Sequence, residues 1–304
     1  MGCWALTYKM PLTATNISAL SRLFSSSVFR QLAEKGCSPL FARLLRDSEL
    51  VDQQFEGGTV GSAFDAAFSV LRKSGQRDEY VYRAALTHNI LLGRHSLNTA
   101  SLLTEFRAGS CKADVVILNG TASAYEIKSE RDSLSRLENQ LLNYRKVFAK
   151  VYVVVADSFV TQVLNNTPDD VGVMGLVRWD RIQTIREAVD RPESVCPDTI
   201  FSSLRLAEAS EILTALGVEV PDLPNTKLHA ALRERFAGLE PASVHYQMVR
   251  TLKRTRNLAS LKSLINELPH SLHPAALSIQ LRHNDHQRLV RAVQTSISEA
   301  RDWA

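Results

Sequence analysis

Residues 112–128, KADVVILNGTASAYEIK, constrain the fold of this chain more than any other stretch. Two apolar runs rich in β-branched residues flank the turn signal Asn119-Gly120, yet Asp114, Glu126 and Lys128 place three charges inside them. Ionised groups are costly to bury in a sheet unless a partner compensates. Whether they meet depends on register. A two-residue turn pairs Leu118 with Thr121 and sets Asp114 against Tyr125. A three-residue loop, Asn119-Gly120-Thr121, sets Asp114 against Glu126 and Lys112 against Lys128. Only that register, or a bulge with the same effect, gathers the three charges on one face.

Two carboxylates held together raise one another's pKa unless a cation sits between them. Hard oxygen donors in this arrangement suit Mg²⁺ or Mn²⁺. Lys128, two residues beyond Glu126 on the same strand face, can reach a phosphate under attack. The following segment, residues 133–148, reads as an amphipathic helix. Its apolar stripe of Leu137, Leu141 and Phe148 also carries Gln140 and Tyr144, one turn apart and able to point towards the carboxylates. A metal ligand set, a cation for developing charge and polar groups that hold geometry are what phosphodiester hydrolysis requires.

Around this hairpin the hydrophobic period changes twice. Residues 28–50, 60–71 and 80–92 have helical spacing, and Ser96 is a candidate N-cap for a short helix over 97–103 leading to Glu105. Residues 105–107, 112–118 and 122–128 alternate as three strands, 151–156 is a continuous apolar run expected to be a strand buried on both faces, and 171–179 is a further strand. Beyond Trp179, residues 181–189, 202–216, 228–236, 243–252, 258–268 and 274–297 read as helices, with a Pro-containing linker near 218–226. The expectation is an N-terminal helical region (1–95), an α/β core with a mixed sheet (96–180) and a C-terminal helical, basic region (181–304).

Charge is uneven along the chain. The formal net charge is +4, and the surplus is concentrated after residue 226, where Lys253, Arg254 and Arg256 cluster; Arg136 stands before Gln140. Such an excess favours a polyanion, through phosphate contact rather than base reading, because no aromatic residues interleave with the cluster. The four cysteines have no CxxC spacing, which argues against a disulfide framework or a zinc ribbon and fits a reducing cytoplasm. No apolar run approaches a bilayer span. Met1-Gly2-Cys3 is a poor myristoylation signal, and Met10 is an alternative start. His270-x-x-His273 and His283-x-x-His286 have metal-compatible spacing without nearby cysteines and are read as surface histidines. His88 and His95 are weaker candidates for phosphate contact.

Asp114, then Glu126-Ile127-Lys128, then Gln140-x-x-x-Tyr144 resembles the PD-(D/E)XK nuclease superfamily. The Gln-x-x-x-Tyr element is similar to its RecB-like branch, and the surrounding residues are similar to bacterial and prophage members. The resemblance covers about residues 96–179. Ala113 stands where the name-giving proline would be. The resemblance implies a restriction-endonuclease-like core of αβββαβ order. Asp114 and Glu126 would hold Mg²⁺ or Mn²⁺ together with the Ile127 carbonyl and Glu105, and Lys128, Gln140 and Tyr144 would complete the catalytic set. It further implies a metal-dependent deoxyribonuclease, in repair, phage defence or mobile-element biology. The implied partner is nucleic acid, DNA first, with no membrane, and a homodimer is left open. The alternative is a catalytically inactive nucleic-acid-binding or complex-assembly protein on the same fold.

Overall fold

The computed structural model describes residues 13–49, 57–73 and 75–303; residues 1–12, which contain both candidate starts, lie outside these. Contacts divide the chain into two units, one of residues 1–76 and 267–304, the other of residues 77–266. The sequence-based boundaries at 95 and 180 therefore both fall inside the second unit.

The first unit is helical. It begins with α1 (Ala14–Leu23), α2 (Ser26–Lys35), α3 (Pro39–Asp47) and α4 (Val60–Leu71). Thr13, Ser25, Ser38 and Thr59 each accept an N–H of the first turn, the capping that their sequence positions encode.

The second unit holds the sheet. It runs α5 (Glu79–Leu86), a π-turn at Thr87–Leu91, α6 (Leu92–Arg94), β1 (Ser101–Ala108), β2 (Cys111–Asn119), β3 (Thr121–Lys128), α7 (Leu137–Tyr144), β4 (Lys150–Val155), α8 (Val160–Asn166), β5 (Gly172–Arg178) and β6 (Arg181–Arg186). Next come α9 (Pro197–Phe201), α10 (Leu206–Ala215), α11 (Asn225–Ala237), α12 (Pro241–Thr255) and α13 (Lys262–Glu267), which ends at the boundary. The chain then returns to the first unit as α14 (His273–Ser278), α15 (His283–Gln294) and α16 (Ile297–Arg301).

The six strands lie in the order β1-β2-β3-β4-β5-β6. β3, β4 and β5 are parallel, and every other pairing is antiparallel. The chain is thus a mixed α/β protein with a six-stranded mixed sheet and flanking helices. One face of the sheet packs Val116, Leu118, Ala122, Ala124, Val151, Val153 and Val155 against Leu141 and Tyr144 of α7 and against Val244, Met248 and Leu252 of α12. These side chains alternate along their strands because successive strand residues point to opposite faces.

Three local expectations are corrected. Residues 97–103 do not form a helix: a turn at Ser96, with the Thr99 hydroxyl bonding its carbonyl, leads straight into β1, because residues 101–104 are taken by the ladder to β2. Residues 181–186 are β6 rather than the start of a helix; Ile182, Ile185 and Val189 fit a helical stripe, but Asp180 turns the chain back along β5 and half-buried residues alternate with exposed ones. The helix expected over 133–148 is regular only from Leu137 to Tyr144, since Asp132 bonds back to the N–H and hydroxyl of Ser129 instead of capping it.

A candidate metal and phosphate centre

The β2–β3 hairpin takes the register in which Val115 faces Tyr125 and Asn119 faces Thr121, with Gly120 at the tip. This is the odd-length loop that sets Asp114 level with Glu126. Pairing stops one rung short of them. Instead, Asp114 Oδ2 accepts the Ile127 N–H at 2.7 Å, so the carboxylate occupies the position where the next ladder bond would form. A strand residue directs its N–H and C=O to the same neighbour, and the Ile127 carbonyl therefore also faces this gap.

The β1–β2 hairpin is broken at the same level. Thr104 pairs with Val115 and Phe106 with Ala113, but the rung of Glu105 and Asp114 between them is absent. Glu105 has φ of 52°, a left-handed conformation that costs a residue bearing a Cβ about 1–2 kcal/mol. The hairpin reverses its faces here. The core takes Leu103, Val116 and Leu118 on one side of the break and Phe106, Ala108 and Ala113, of the opposite parity, on the other. The far half is pinned by α7: Asn143 Oδ1 accepts the Ser110 N–H at 3.2 Å and packs so closely on Gly109 that a Cβ there would lie 2.2 Å from it.

At this break the carboxylates gather. One oxygen from each of Glu79, Glu105 and Asp114 lies within 4.8 Å of the other two. Glu79, at the start of α5, also pairs with Arg83 one turn later. Burial, then the Glu126 carboxylate, push the Asp114 carboxyl up to about 8, with Glu79 adding to the shift and the Ile127 N–H and Lys128 opposing it.

Beside this group is a buried polar network on the α7 face. Glu126 and Lys128 are 1% and 5% exposed, deep enough that each requires the other. Lys128 Nζ donates to Glu126 Oε1 at 2.7 Å and to Gln140 Oε1 at 2.9 Å. The Tyr144 hydroxyl lies 2.7 Å from Glu126 Oε2 and 2.5 Å from the Lys112 carbonyl; with one proton, it can donate to one of them at a time. Burial raises the Glu126 carboxyl, against the lowering effect of Lys128, Tyr144 and Gln140. Burial and Glu126 together raise the Tyr144 phenol, which stays a donor.

The structure therefore brings together Asp114, Glu126, Lys128, Gln140, Tyr144, Glu105 and the Ile127 backbone, but in two groups. Glu126 has both oxygens engaged by Lys128 and Tyr144 and stands outside the three-carboxylate group, where Glu79 stands instead. Sequence reading missed Glu79: it lies 35 residues before Asp114, and the one local signal was its place in the first turn of a helix capped by Asp78. The donor set fits a hard divalent cation, being all oxygen and rich in negative charge. The basic residues chosen from sequence separate differently. Arg136 and Lys253 form no ion pair among the described residues. Arg254 is paired with Glu211, and Arg256 is bound to buried Glu208 and lies over the Phe106 ring, so both are committed within the helical layer. His95 meets the Asn119 amide near the hairpin tip, five positions along β2 from Asp114.

Fold and site together define a mixed α/β protein with a carboxylate group and a buried lysine–glutamate pair at a break in its sheet. Residues 72–279, which include the whole second unit, match the family described as Bacteriophage P4 protein cII, and the chain belongs to that family. Protein cII of Enterobacteria phage P4 is 40% identical over 80 residues, 26% of this chain and 30% of that protein, so the match spans under a third of the relative's length. Among solved structures, a protein of unknown function from Silicibacter pomeroyi, SPO1766, is similar at 19% identity with a TM-score of 0.31, over 48% of this chain and 92% of the other.

Proposed function

We propose that this chain is a divalent-metal-dependent nuclease with a restriction-endonuclease-like core, of the PD-(D/E)XK superfamily, hydrolysing phosphodiester bonds of DNA. The observation that carries the reading is the juxtaposition at one break in the sheet of three clustered carboxylates with a buried Lys128–Glu126–Gln140–Tyr144 network. Neither group serves the fold well. The carboxylates repel, Glu105 is held in a strained conformation, and a buried ion pair is weak evidence of stability.

Asp114, Glu105 and Glu79 would hold the cation, Mg²⁺ or Mn²⁺, with the Ile127 carbonyl facing the same gap. Such an ion, when bound, supplies Lewis acidity towards a phosphate oxygen and lowers the pKa of water. Lys128 presents an ammonium donor to charge developing on the phosphoryl oxygens. Gln140 and Glu126 fix its Nζ from two sides, and Tyr144 orients Glu126 by bonding its other oxygen. Asp114 is fixed by the Ile127 N–H, which ties its position to the hairpin register.

The test is cleavage of linear and circular, single- and double-stranded DNA, and of RNA, with Mg²⁺ or Mn²⁺, by the wild type, Asp114→Ala and Lys128→Ala. Loss of about 10²–10⁴-fold in both variants is expected for groups acting on the reacting atoms. Wild-type cleavage that persists in both would sink the reading.

A further inference from the structure

The β2–β3 hairpin tip carries a second site, away from Asp114, which lies mid-strand in β2. A cleft of about 210 Å³ is lined by Gly120, Tyr246, Val249, Arg250 and Lys253. Gly120 is six positions along the chain from Asp114, roughly 20 Å at 3.3–3.4 Å per residue. On α12, Tyr246, Arg250 and Lys253 fall at i, i+4 and i+7 and so form one stripe. Val244, Met248 and Leu252 are buried on the opposite stripe and seat the helix against the sheet.

Three features distinguish this stripe from an ordinary solvated face. Tyr246 is 52% exposed, although α12 offers an apolar layer in which an aromatic ring could be buried. The arginines near it are paired: Arg254 with Glu211, Arg256 with Glu208 and, further off in sequence, Arg233 with Asp198. Among the described residues, no carboxylate lies within salt-bridge distance of Arg250 or Lys253. The cleft is also preformed, because the Ala122 N–H, two residues from the tip, donates to buried His245 Nε2 at 3.3 Å, and the His245 ring meets Tyr246 edge to face at 5.6 Å. His245 thus ties the hairpin to α12 and braces the exposed ring.

We propose that this cleft binds single-stranded nucleic acid, with a base stacked on Tyr246 and the flanking phosphates held by Arg250 and Lys253. An exposed ring beside two unneutralised cations matches an unpaired strand, which offers base faces and phosphates in alternation. A duplex keeps its base faces stacked on one another and offers a lone tyrosine nothing to stack on. An acidic peptide would engage the cations but leave the ring unused. The site is independent of the carboxylate centre, and the binding needs no metal.

The experiment is fluorescence anisotropy of labelled single-stranded oligonucleotides, DNA and RNA, in EDTA, using the full chain as wild type, Tyr246→Ala, Tyr246→Phe, Arg250→Ala/Lys253→Ala and Arg254→Ala. A matched duplex and an acidic peptide serve as competitors. Tyr246→Ala is expected to weaken binding about tenfold, the effect of one stacked base, while Tyr246→Phe retains it. The double variant is expected to flatten the slope of log K against log salt by about 1.4, that is, about 0.7 for each lost phosphate contact on a single strand. Arg254→Ala is expected to leave binding unchanged. Unaltered thermal unfolding checks that the variants fold. The proposal is overturned if Tyr246→Ala binds as the wild type does, if Arg254→Ala matches the double variant, or if duplex or peptide competes better than the single strand. Because EDTA silences any metal-dependent cleavage, failure here leaves the nuclease reading standing, and inactive enzyme leaves this one standing.

Discussion

At the Gly120 end of the β2–β3 hairpin every rung from Val115 with Tyr125 to Asn119 with Thr121 is paired, while at the other end pairing stops and Asp114 bonds a backbone N–H in place of a strand. The two ends also differ in how charge is managed. Arg250 and Lys253 at the tip sit on the outer stripe of a helix whose inner stripe is fully packed, where solvation makes them inexpensive. The carboxylates at the break face one another, beside an ion pair withdrawn from water. Substitution at the break should therefore change stability strongly and in either direction, whereas substitution of the outer-stripe residues Tyr246, Arg250 and Lys253 at the tip should change binding and leave the fold alone.

The largest effect is expected at Glu126. Glu126→Ala leaves the Lys128 ammonium buried without its counter-charge, which costs about 3–5 kcal/mol for a pair of this depth. Asp114→Asn should act in the opposite sense in metal-free protein, raising the unfolding midpoint, because it replaces a carboxyl that folding must protonate, its charge being disfavoured by burial and by Glu126 and Glu79. Urea unfolding in EDTA measures both. A loss below about 1 kcal/mol at Glu126 would mean that Lys128 finds water, and the contrast between the two ends would collapse.

Next in size is a pH effect at the tip. Burial pushes His245 from its ordinary 6.5 down to about 4, with Asp190 opposing the shift. The folded chain thus keeps the ring neutral where the unfolded chain would protonate it. Above about pH 6.5 neither state binds the His245 proton and this group contributes no pH dependence. As pH falls from 6.5 towards 4, only the unfolded state takes it up, and the His245 contribution to stability drops by about 3 kcal/mol before levelling; Asp114, whose carboxyl is raised to about 8 and protonates first in the folded state, opposes this over the same range. Asp170 and Glu208, held low by their arginines, lose their stabilisation in a lower window that meets this one at its acid end, as pH falls below their ordinary 3.8 and 4.5. His245→Gln can still accept from Ala122 and, compared in an Asp114→Asn background that removes the opposing titration, should flatten the limb between pH 6.5 and 4.5 in urea unfolding; an unchanged limb would place the titration elsewhere.

Glu79 tests how the acidic end is composed. Glu79→Gln should raise the Mg²⁺ concentration needed for thermal stabilisation about 10–100-fold, the effect of losing one supporting carboxylate. Glu79 was illegible in the sequence for a physical reason: its role depends on α5 packing its first turn against the break, a tertiary placement that helical periodicity does not encode. Asp114, Glu126, Lys128, Gln140 and Tyr144 were legible because local rules place them. Strand alternation, loop parity and helical spacing determine their relative positions over 31 residues. The face reversal at Glu105 was not legible, since alternation assumes a strand that does not change parity, and a left-handed residue changes it. The β6 pattern satisfied two periods at once, and pairing with β5 decided between them.

The smallest expected effect concerns Arg254, and it sets the scale for the basic surface. From sequence it belonged with Lys253 and Arg256 as a phosphate contact, but its guanidinium is bound to Glu211 on α10 while remaining largely exposed to solvent. Exposed pairs contribute about 0.2–1 kcal/mol and weaken with salt. Arg254→Ala should therefore lower stability by no more than that in low salt, and by less at high ionic strength. Arg256→Ala should cost more under both conditions, because it strands the carboxylate of Glu208, 2% exposed, and removes the cation over Phe106. Parallel urea titrations at two salt concentrations read the difference. Equal losses would mean that burial of Glu208 does not govern the pair, and that neighbouring arginines in this layer cannot be sorted into structural and free by their acidic partners.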